Sequence, residues 1–551
     1  MMINTSSPKR HTIGFLSANI HVGASRVLWP GILDAAAAEN VNLVCFPGGR
    51  LHAPEPAEAM RNLIFRQVDT EQLDGLVVWT SALTGVVTPQ EVSEFRQVYH
   101  TIPIVDLAAS TGFGPNVTID GNQGMRDLLL HLIEEHGYER IALIRGSEGH
   151  PYAVERHQAF LDTFQAKGLQ TNDLLISPAL GWNKGAEAMS VLLDERGLQP
   201  GRDFQAVVAA SDLLAIGAIR LMTERGIHVP SDVAVAGFND IEEGRLVRPP
   251  LTSVSLPFYA QGQQSVETLL KSLAGNHVPT ETILESQLLV RQSCGCPSWS
   301  EKLANSELTA VPPTPIPQFL SQTQKQLSAE IFRVIHNRGI ATTWAKQLLD
   351  AFRSELDGAG NGRFRTTLVS MLQQGVLDGD ETAAWQNTIS IIRSALLPTL
   401  TEKQRDRAEA LFGQARVVIG DAVQRAQIAR QVQAERQSSL LRDIGQALIT
   451  TFDVDKLADV LAEQLPKLTI CSAYLALYEN PNNPLDTSRL VLAYTENGRF
   501  DLGENGRCYP SSQLLPPDVL PNRRYTLLVE PLFFQEEPLG IVVFEVGPRD
   551  G

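Results

Sequence analysis

Few side chains in this sequence are placed to do chemistry. Ser293-Cys294-Gly295-Cys296-Pro297 puts two thiols one residue apart, half of what a tetrahedral thiolate or imidazole metal site requires. No second Cys pair or His cluster accompanies them along the sequence, so no metal is expected and they are read as ordinary residues. Cys45, Cys471 and Cys508 bring the count to five. An odd number scattered over a long chain fits a reducing compartment better than a disulfide framework. Cys471 and Cys508 suggest chromophore attachment, but no surrounding motif supports it. Acidic pairs such as Glu134-Glu135 and Glu242-Glu243 are adjacent, and adjacent residues of a helix face different directions, which reads as solvated surface rather than a carboxylate dyad. Walker and dinucleotide glycine loops, His-Glu zinc-protease patterns and Gly-x-Ser-x-Gly elbows are missing from the sequence. With no nucleophile, base and orienter assembled, the expectation is a protein that is not an enzyme and carries no cofactor.

A chain of 551 residues exceeds what one hydrophobic core organises, and about three domains are expected. Its 43% hydrophobic and 20% charged residues are ordinary for globular protein. The formal charge of −16, from 46 Lys and Arg against 62 Asp and Glu, repels phosphate backbones unless cations cluster, and no basic patch is found. The stretch after Lys9 and Arg10 lacks the unbroken apolar core of an export signal. No run of about 18 uncharged apolar residues offers a membrane span. A cytoplasmic, soluble protein with no membrane contact is expected.

From Thr12 onward, short β-branched runs alternate with longer helical periodicities, the mark of βαβ units and a parallel sheet buried on both faces. Strands are expected at Ile13–Ser17, Leu43–Phe46, Gly75–Trp79, Ile102–Val105, Ile141–Ile144, Ala206–Ala209, Val233–Ala236 and Leu288–Val290, with helices at Trp29–Glu39, Gly121–Glu135, Ala153–Ala166 and Leu213–Arg225. That much alternation suits either a closed eight-stranded barrel or two smaller doubly wound sheets, and periodicity does not choose between them.

Ser211-Asp212-Leu213-Leu214-Ala215-Ile216-Gly217, followed by Val229-Pro230-Ser231-Asp232-Val233-Ala234-Val235-Ala236-Gly237-Phe238-Asn239-Asp240, resembles the effector-domain signature of the lactose-repressor (LacI/GalR) family. Asp120-Gly121-Asn122, His136-Gly137-Tyr138-Glu139-Arg140-Ile141, Arg156 with Ala159-Phe160, and Pro249-Pro250-Leu251-Thr252-Ser253-Val254 extend the resemblance over residues 11–292. It implies an α/β, two-lobed, periplasmic-binding-protein-like type I module made of two doubly wound parallel sheets, with three chain crossings and ligand held in the cleft between lobes. Such clefts lie beyond the carboxyl ends of the strands.

Carried over position by position, the resemblance suggests Trp29 and the turn from Asn19 to His21 in the first lobe, and His150, Tyr152, Arg156, Asp212 and Asn239 in the second, with Trp182 as a looser candidate. These types suit a sugar or nucleobase-like ligand, which needs directional hydrogen bonds and an aromatic face. Arg156 leads, because its planar fork can hold two ligand oxygens at once. Each has a plainer reading. Trp29 could be a core aromatic, and Asp212 could cap the helix that it opens. His150 and Tyr152 could be ordinary loop chemistry, while Asn239 could serve the backbone of its turn.

Family repressors carry a DNA-reading headpiece ahead of this module, whereas only about ten residues, 1–10, expected to be disordered, precede the first strand here. Direct DNA binding is therefore not expected. Residues 293–318 read as a Pro-, Ser- and Thr-rich linker. A Ser-Cys-Gly-Cys ending resembles sensor domains fused to signalling modules. Residues 319–438 are helical in pattern, and Leu411, Ala415, Val418, Ala422, Ala429 and Val432 mark a heptad-like stripe interrupted at Arg425. That stripe fits either a coiled-coil stalk in a homodimer or a helix packed within one chain. Residues 439–551 turn to helix and strands; Glu530-Pro531-Leu532 with Leu539-Gly540-Ile541 resembles the last strand pair of a GAF domain, which would make this a small α+β GAF-like domain, either degenerate or cut before its closing helix.

The expected function is that of a bacterial ligand-sensing regulator, with a small polar effector as partner and transcription control as output. The alternatives are the sensory half of a diguanylate cyclase or histidine kinase whose catalytic module lies past residue 551, and a dimeric binding or scaffold protein.

Overall fold

The computed structural model describes residues 10–84, 87–297, 341–358, 361–374, 379–449, 454–468, 470–496, 498–503 and 505–547. The expected N-terminal tail up to residue 9, most of the expected linker, and the helical pattern before residue 341 lie outside the described residues. The chain forms two compact units, one of Met1–Gly295 with Leu440–Gly551 and one of Cys296–Ser439.

The first lobe opens the first unit. It contains β1 (Thr12–Ser17), α1 (Ser25–Ala38), β2 (Asn42–Pro47), α2 (Pro56–Arg61), β3 (Gly75–Val78), α3 (Thr80–Leu83), α4 (Pro89–Gln97), β4 (Ile104–Leu107) and β5 (Asn116–Asp120). The chain then builds the second lobe from α5 (Gly121–Leu130), β6 (Ile141–Ile144), α6 (Pro151–Ala166), α7 (Gly185–Ser190), β7 (Ala206–Ala209), α8 (Asp212–Glu224), β8 (Ala234–Asn239), α9 (Glu242–Leu246) and β9 (Thr252–Ser255). It returns for α10 (Phe258–Leu273) and β10 (Glu281–Glu285), and crosses once more into β11 (Gln287–Leu289).

Strands of the first lobe run in the order β10-β5-β4-β3-β1-β2, all parallel. The second sheet runs β11-β9-β8-β7-β6, with only β11 antiparallel. Two doubly wound sheets therefore replace the single-barrel alternative. Helices cover both faces, so β2, β3, β6 and β7 are buried along their whole length, and this is why they read as unbroken apolar runs. The eight expected strands are all present, Ile141–Ile144 and Ala206–Ala209 with their expected bounds and the others with shifted ends, Ile102–Val105 becoming Ile104–Leu107 and Val233–Ala236 extending to Asn239. Strands β5, β9 and β10 were not among them; β10 is an exposed edge and alternates exposed and half-buried residues. Helix starts follow their caps. Ser211 accepts from the Leu214 amide at α8, Asp120 accepts from Gln123 at α5, and Thr88 with Glu91 forms a capping box at α4.

The second unit packs α11 (Ala341–Leu356), α12 (Arg363–Gln374), α13 (Gly379–Leu396) and the first half of α14 (Glu402–Ile449) around Phe352, Phe364, Trp385 and Phe412. Of the heptad-like stripe, Leu411 and Ala415 are buried in this core and Val418 and Ala422 pack against it. The first half of the stripe thus serves the chain's own core, whereas Val432, farther along, is exposed.

The remaining block of the first unit comprises α15 (Val454–Gln464), β12 (Ala473–Tyr478), β13 (Thr487–Thr495), β14 (Gly498–Arg499), β15 (Arg507–Pro510), β16 (Thr526–Phe534) and β17 (Glu537–Glu545). Its antiparallel order β16-β17-β12-β13 is joined to the first lobe, because β16 pairs with β2 in parallel and turns two sheets into one of 12 strands. The Leu43 amide donates to the Tyr525 carbonyl, and the Tyr525 amide donates to the Asn42 side-chain oxygen. Arg61 pairs with Glu530 at 3.1 Å, and the buried Gln67 amide donates to the Tyr478 hydroxyl at 3.0 Å. Leu16, Val44, Phe46, Ile64 and Leu76 from the lobe share one apolar core with Tyr474, Leu515, Leu527, Val529 and Val543 from the block. The sequence pattern suggested a separate domain from residue 439; these contacts make it one body with the first lobe.

Truncating a fully buried leucine costs about 2–5 kcal/mol. Leu527→Ala is expected to lower the melting temperature of the full chain, with first-lobe and C-terminal signals moving together. Calorimetry with hydrogen-exchange mass spectrometry checks this, and melting of the C-terminal block alone would show that the core is not shared.

Candidate ligand-binding cleft

Three crossings join the lobes, at Asp120-Gly121, at Leu256-Pro257 and at Ser286, as the sequence of elements requires. Two of them are tied together, since the Ser286 hydroxyl donates to the Asp120 carbonyl at 2.7 Å. Across the lobes, the Thr118 and Tyr152 hydroxyls share a hydrogen bond at 3.3 Å. Arg26 at the start of α1 pairs with Glu243 at 3.3 Å and lies 4.0 Å from Glu242, both on α9.

Between these ties, the carboxyl ends of β6, β7 and β8 bring several expected residues together. Arg156, on the inner face of α6, is buried. Its Nη1 donates to the Ala210 carbonyl at 2.5 Å and its Nη2 to Asn239 Oδ1 at 3.2 Å, while the guanidinium lies 4.0 Å over the Phe238 ring. Burial pulls its pKa down to about 10, which still leaves it charged at neutral pH. Much of the fork expected to hold two ligand oxygens is thus turned onto the protein; the buried Nε keeps no protein partner. His150 precedes α6, and its ring meets Trp182 edge-on at 5.0 Å and Tyr152 at 6.0 Å. The residue retains some exposed surface, but its Nδ1 is buried and without a partner. Enclosure, reinforced by the Arg156 charge, drives the imidazole pKa down to about 3, so the ring is neutral at physiological pH. His150, Tyr152, Arg156, Trp182 and Asn239 thus form one aromatic and polar cluster.

Asp212 has a different task. Ser211, not Asp212, caps α8. The Asp212 carboxylate is buried, where it accepts from the Ser253 hydroxyl at 2.6 Å and from the Ile241 amide at 2.8 Å. Burial raises its pKa to about 6 against those hydrogen bonds. These contacts hold a turn in which Asn239 and Asp240 both have left-handed backbone, φ 110° and 56°, a strain that persists only when neighbours over-determine it. The Asp240 amide donates to Ser253, and its carboxylate pairs with Arg245 and Arg291, each at 2.6 Å. A Cβ on Gly237 would come within 2.2 Å of Asp212 Oδ1, so the glycine makes room for the carboxylate. Asp212 is therefore a positioning residue for Asn239.

The first-lobe candidates stand apart from this cluster. Trp29 is buried and stacks on Phe15 at 5.7 Å with rings 12° from parallel. One face of its ring serves the lobe's own packing. His21 is exposed. The Asn19 side-chain oxygen accepts from the Ser25 hydroxyl and the Val22 amide, shaping the loop rather than leaving that atom free. Sequence reasoning missed Thr118, which bonds Tyr152, and Phe238, whose ring lies under Arg156.

His150 fixes a pH dependence. A histidine with a depressed folded pKa leaves the unfolded chain with more bound protons between its ordinary 6.5 and about 3, so its contribution to stability is lost as pH falls through that window. Asp212, raised from 3.8 to about 6, acts oppositely below pH 6. His150→Gln is expected to flatten the loss of stability on acidification by up to about 1.4 kcal/mol per pH unit, read as urea midpoints against pH. Identical slopes would show that the imidazole titrates freely.

A family profile described as "Periplasmic binding protein-like domain" matches residues 130–294. Among curated proteins, the chain is 35% identical over 179 residues to the HTH-type transcriptional regulator CelR of Thermobifida fusca, covering 32% of this chain and 51% of CelR. It is 32% identical over 241 residues to the HTH-type transcriptional repressor MelR of Bacillus subtilis, covering 42% and 66%. With the repressor CytR of Escherichia coli the figures are 27% over 263 residues, covering 47% and 73%. The chain thus spans about half to two thirds of the length of the first two relatives. A solved structure of a complex between the transcriptional regulator CelR and cellobiose aligns with a TM-score of 0.44 and 25% identity, over 52% of this chain and 86% of that one. No helix among the described residues is long and apolar enough to cross a membrane. Two parallel sheets, three crossings and these sequence similarities identify within this chain a domain of the periplasmic-binding-protein-like type I fold, similar to the corresponding part of HTH-type transcriptional regulators.

Proposed function

We propose that this protein is a cytoplasmic, non-enzymatic ligand sensor that binds a small polar molecule, a sugar or nucleobase-like compound, between its lobes and passes lobe closure to a regulatory output, the control of transcription. The observation that carries this reading is the cluster of His150, Tyr152, Arg156, Trp182 and Asn239 beside the crossings. It combines aromatic faces with two buried polar atoms, His150 Nδ1 and Arg156 Nε, that have no hydrogen-bond partner among the described residues. Such atoms cost stability unless something bonds them, and a ligand hydroxyl, carbonyl or ring nitrogen would do so. The names of the relatives, transcriptional regulators and repressors, support the output.

Ligand shifts such a protein only through differential affinity for its closed and open forms. The Arg26 pairs with α9 and the Thr118–Tyr152 bond span the lobes and are the contacts that opening would break. The C-terminal block, with its GAF-like strand motif, is rooted on β2 and would travel with the first lobe, which gives the motion a readout. Residues Ile428 and Val432 of α14 are exposed and fit a homodimer seam, for which sedimentation of the full chain should give twice the monomer mass.

Thermal-shift screening of the full chain against sugars, nucleosides and small metabolites is expected to yield a stabilising ligand, since a compound that binds only the folded state raises the melting temperature by mass action. Arg156→Ala should weaken its binding by about 2 kcal/mol or more after correction for the variant's own stability. Unchanged affinity would remove Arg156 from the site, and the absence of any hit across a broad library would shift the reading to a protein partner.

A further inference from the structure

The Cys294-Gly295-Cys296 turn has the neighbours that its sequence context did not reveal. His131 Nε2 lies 3.5 Å from the Cys294 sulfur. One ligand atom each from His131, His136, Cys294 and Cys296 all lie within 4.8 Å of one another. The two histidine rings meet edge to face at 5.0 Å, and His136 stacks on Tyr138 at 5.2 Å. The Tyr138 hydroxyl donates to the Cys294 carbonyl at 3.3 Å, orienting the turn from outside the cluster. The expectation of no metal rested on a missing second half of the site, and the fold brings four candidate donors together.

From these contacts we infer that His131, His136, Cys294 and Cys296 form a tetrahedral site for a divalent zinc ion. Zinc–sulfur and zinc–nitrogen bonds of about 2.3 and 2.0 Å place neighbouring ligand atoms of a tetrahedron about 3.3–3.8 Å apart, so the four atoms need close by only about an ångström. Two thiolates and two neutral imidazoles around Zn²⁺ sum to zero charge, which suits the buried Cys294 and the half-buried histidines. The set excludes hard cations, which take oxygen ligands, and its mixed sulfur and nitrogen donors favour zinc.

Local backbone presents these ligands. After α5 the helix widens into a single π-turn over His131–Glu135 and closes at Gly137, φ 69°. A second π-turn at Val191–Glu195 carries neither histidine nor cysteine, so the turn belongs to the fold and the donor residues are the added feature. Gly295, with φ 102°, lets the chain reverse between the two sulfurs, and a Cβ there would meet His136 at 3.4 Å and the Tyr138 hydroxyl at 3.3 Å. Next to it, Ser293 is already anchored to the sheet. Its hydroxyl donates to the Val235 carbonyl and accepts from the Thr252 amide. Zinc would clip the end of the effector-binding domain to the end of α5, closing a loop that runs through the entire second lobe. The Cys294 thiol donates to the Arg291 carbonyl at 3.2 Å, a contact that a zinc–thiolate bond would replace.

The test uses the full chain, purified in reductant without chelator. Elemental analysis is expected to find one zinc per chain. Replacement by Co²⁺ should give the intense visible bands of tetrahedral cobalt with a near-ultraviolet thiolate charge-transfer band. Cys296→Ser should abolish that charge-transfer pattern or weaken binding at least tenfold, and His136→Gln should act likewise, while Cys471→Ser with Cys508→Ser leaves it intact. Because a substitution could unfold the turn, the unaltered chain is also titrated. Chelation should lower its melting temperature and make two additional thiols reactive, and Zn²⁺ should reverse both. Weak octahedral cobalt spectra, a Cys294–Cys296 disulfide in metal-free protein, or melting indifferent to chelator and zinc would each overturn the assignment.

Discussion

An unpaired strand edge is a liability, because its amides and carbonyls invite pairing with any other extended chain. At β2 this protein resolves that constraint with its own far end. β16 completes the edge in parallel, and much else follows from it. The C-terminal strands gain a rigid base, the first lobe gains the apolar contribution of Leu527 and Val529, and the block cannot move independently of the lobe. A sensor module and a downstream block that linkers alone would have left separate are instead a single sheet.

The second lobe relies on a different economy. Arg156 and Asp212 are charged groups placed almost out of water, an arrangement that is costly unless each hydrogen bond is found. Arg156 meets the Ala210 carbonyl, Asn239 and the Phe238 face; Asp212 meets Ser253 and the Ile241 amide. Both converge on the Asn239–Ile241 turn. Its left-handed residues are thereby held by the protein's own side chains.

Much of the double-lobed architecture was legible because parallel strands buried on both faces leave unbroken apolar runs, as in Leu43–Phe46 and Ala206–Ala209. The polar edge strand Glu281–Glu285 leaves no such trace. Family resemblance brought His150, Tyr152, Arg156 and Asn239 to the same place, yet could not divide ligand contacts from supports. The contacts of Asp212 with Ser253 and Ile241, and of Trp29 with Phe15, became visible only in the fold. The pairing of His131 and His136 with the two cysteines was invisible because the partners are brought together by the winding of the whole second lobe. The seam at β2 was hidden for the same reason, since β16 reads as an ordinary strand whatever its neighbour.

The strand that completes the first lobe is made long after the strand that it pairs with. Asn42 and Tyr525, hydrogen-bonded in the finished molecule, are 483 residues apart. At about 5–20 residues per second, a ribosome needs on the order of half a minute to a minute and a half to travel that distance. Throughout that interval the nascent first lobe stands with an open β2 edge and half of a core, the condition in which neighbouring nascent chains on a polysome are most prone to stick together. Expression yield in this protein is therefore tied to translation speed and chaperone supply more closely than the stability of the finished fold would indicate.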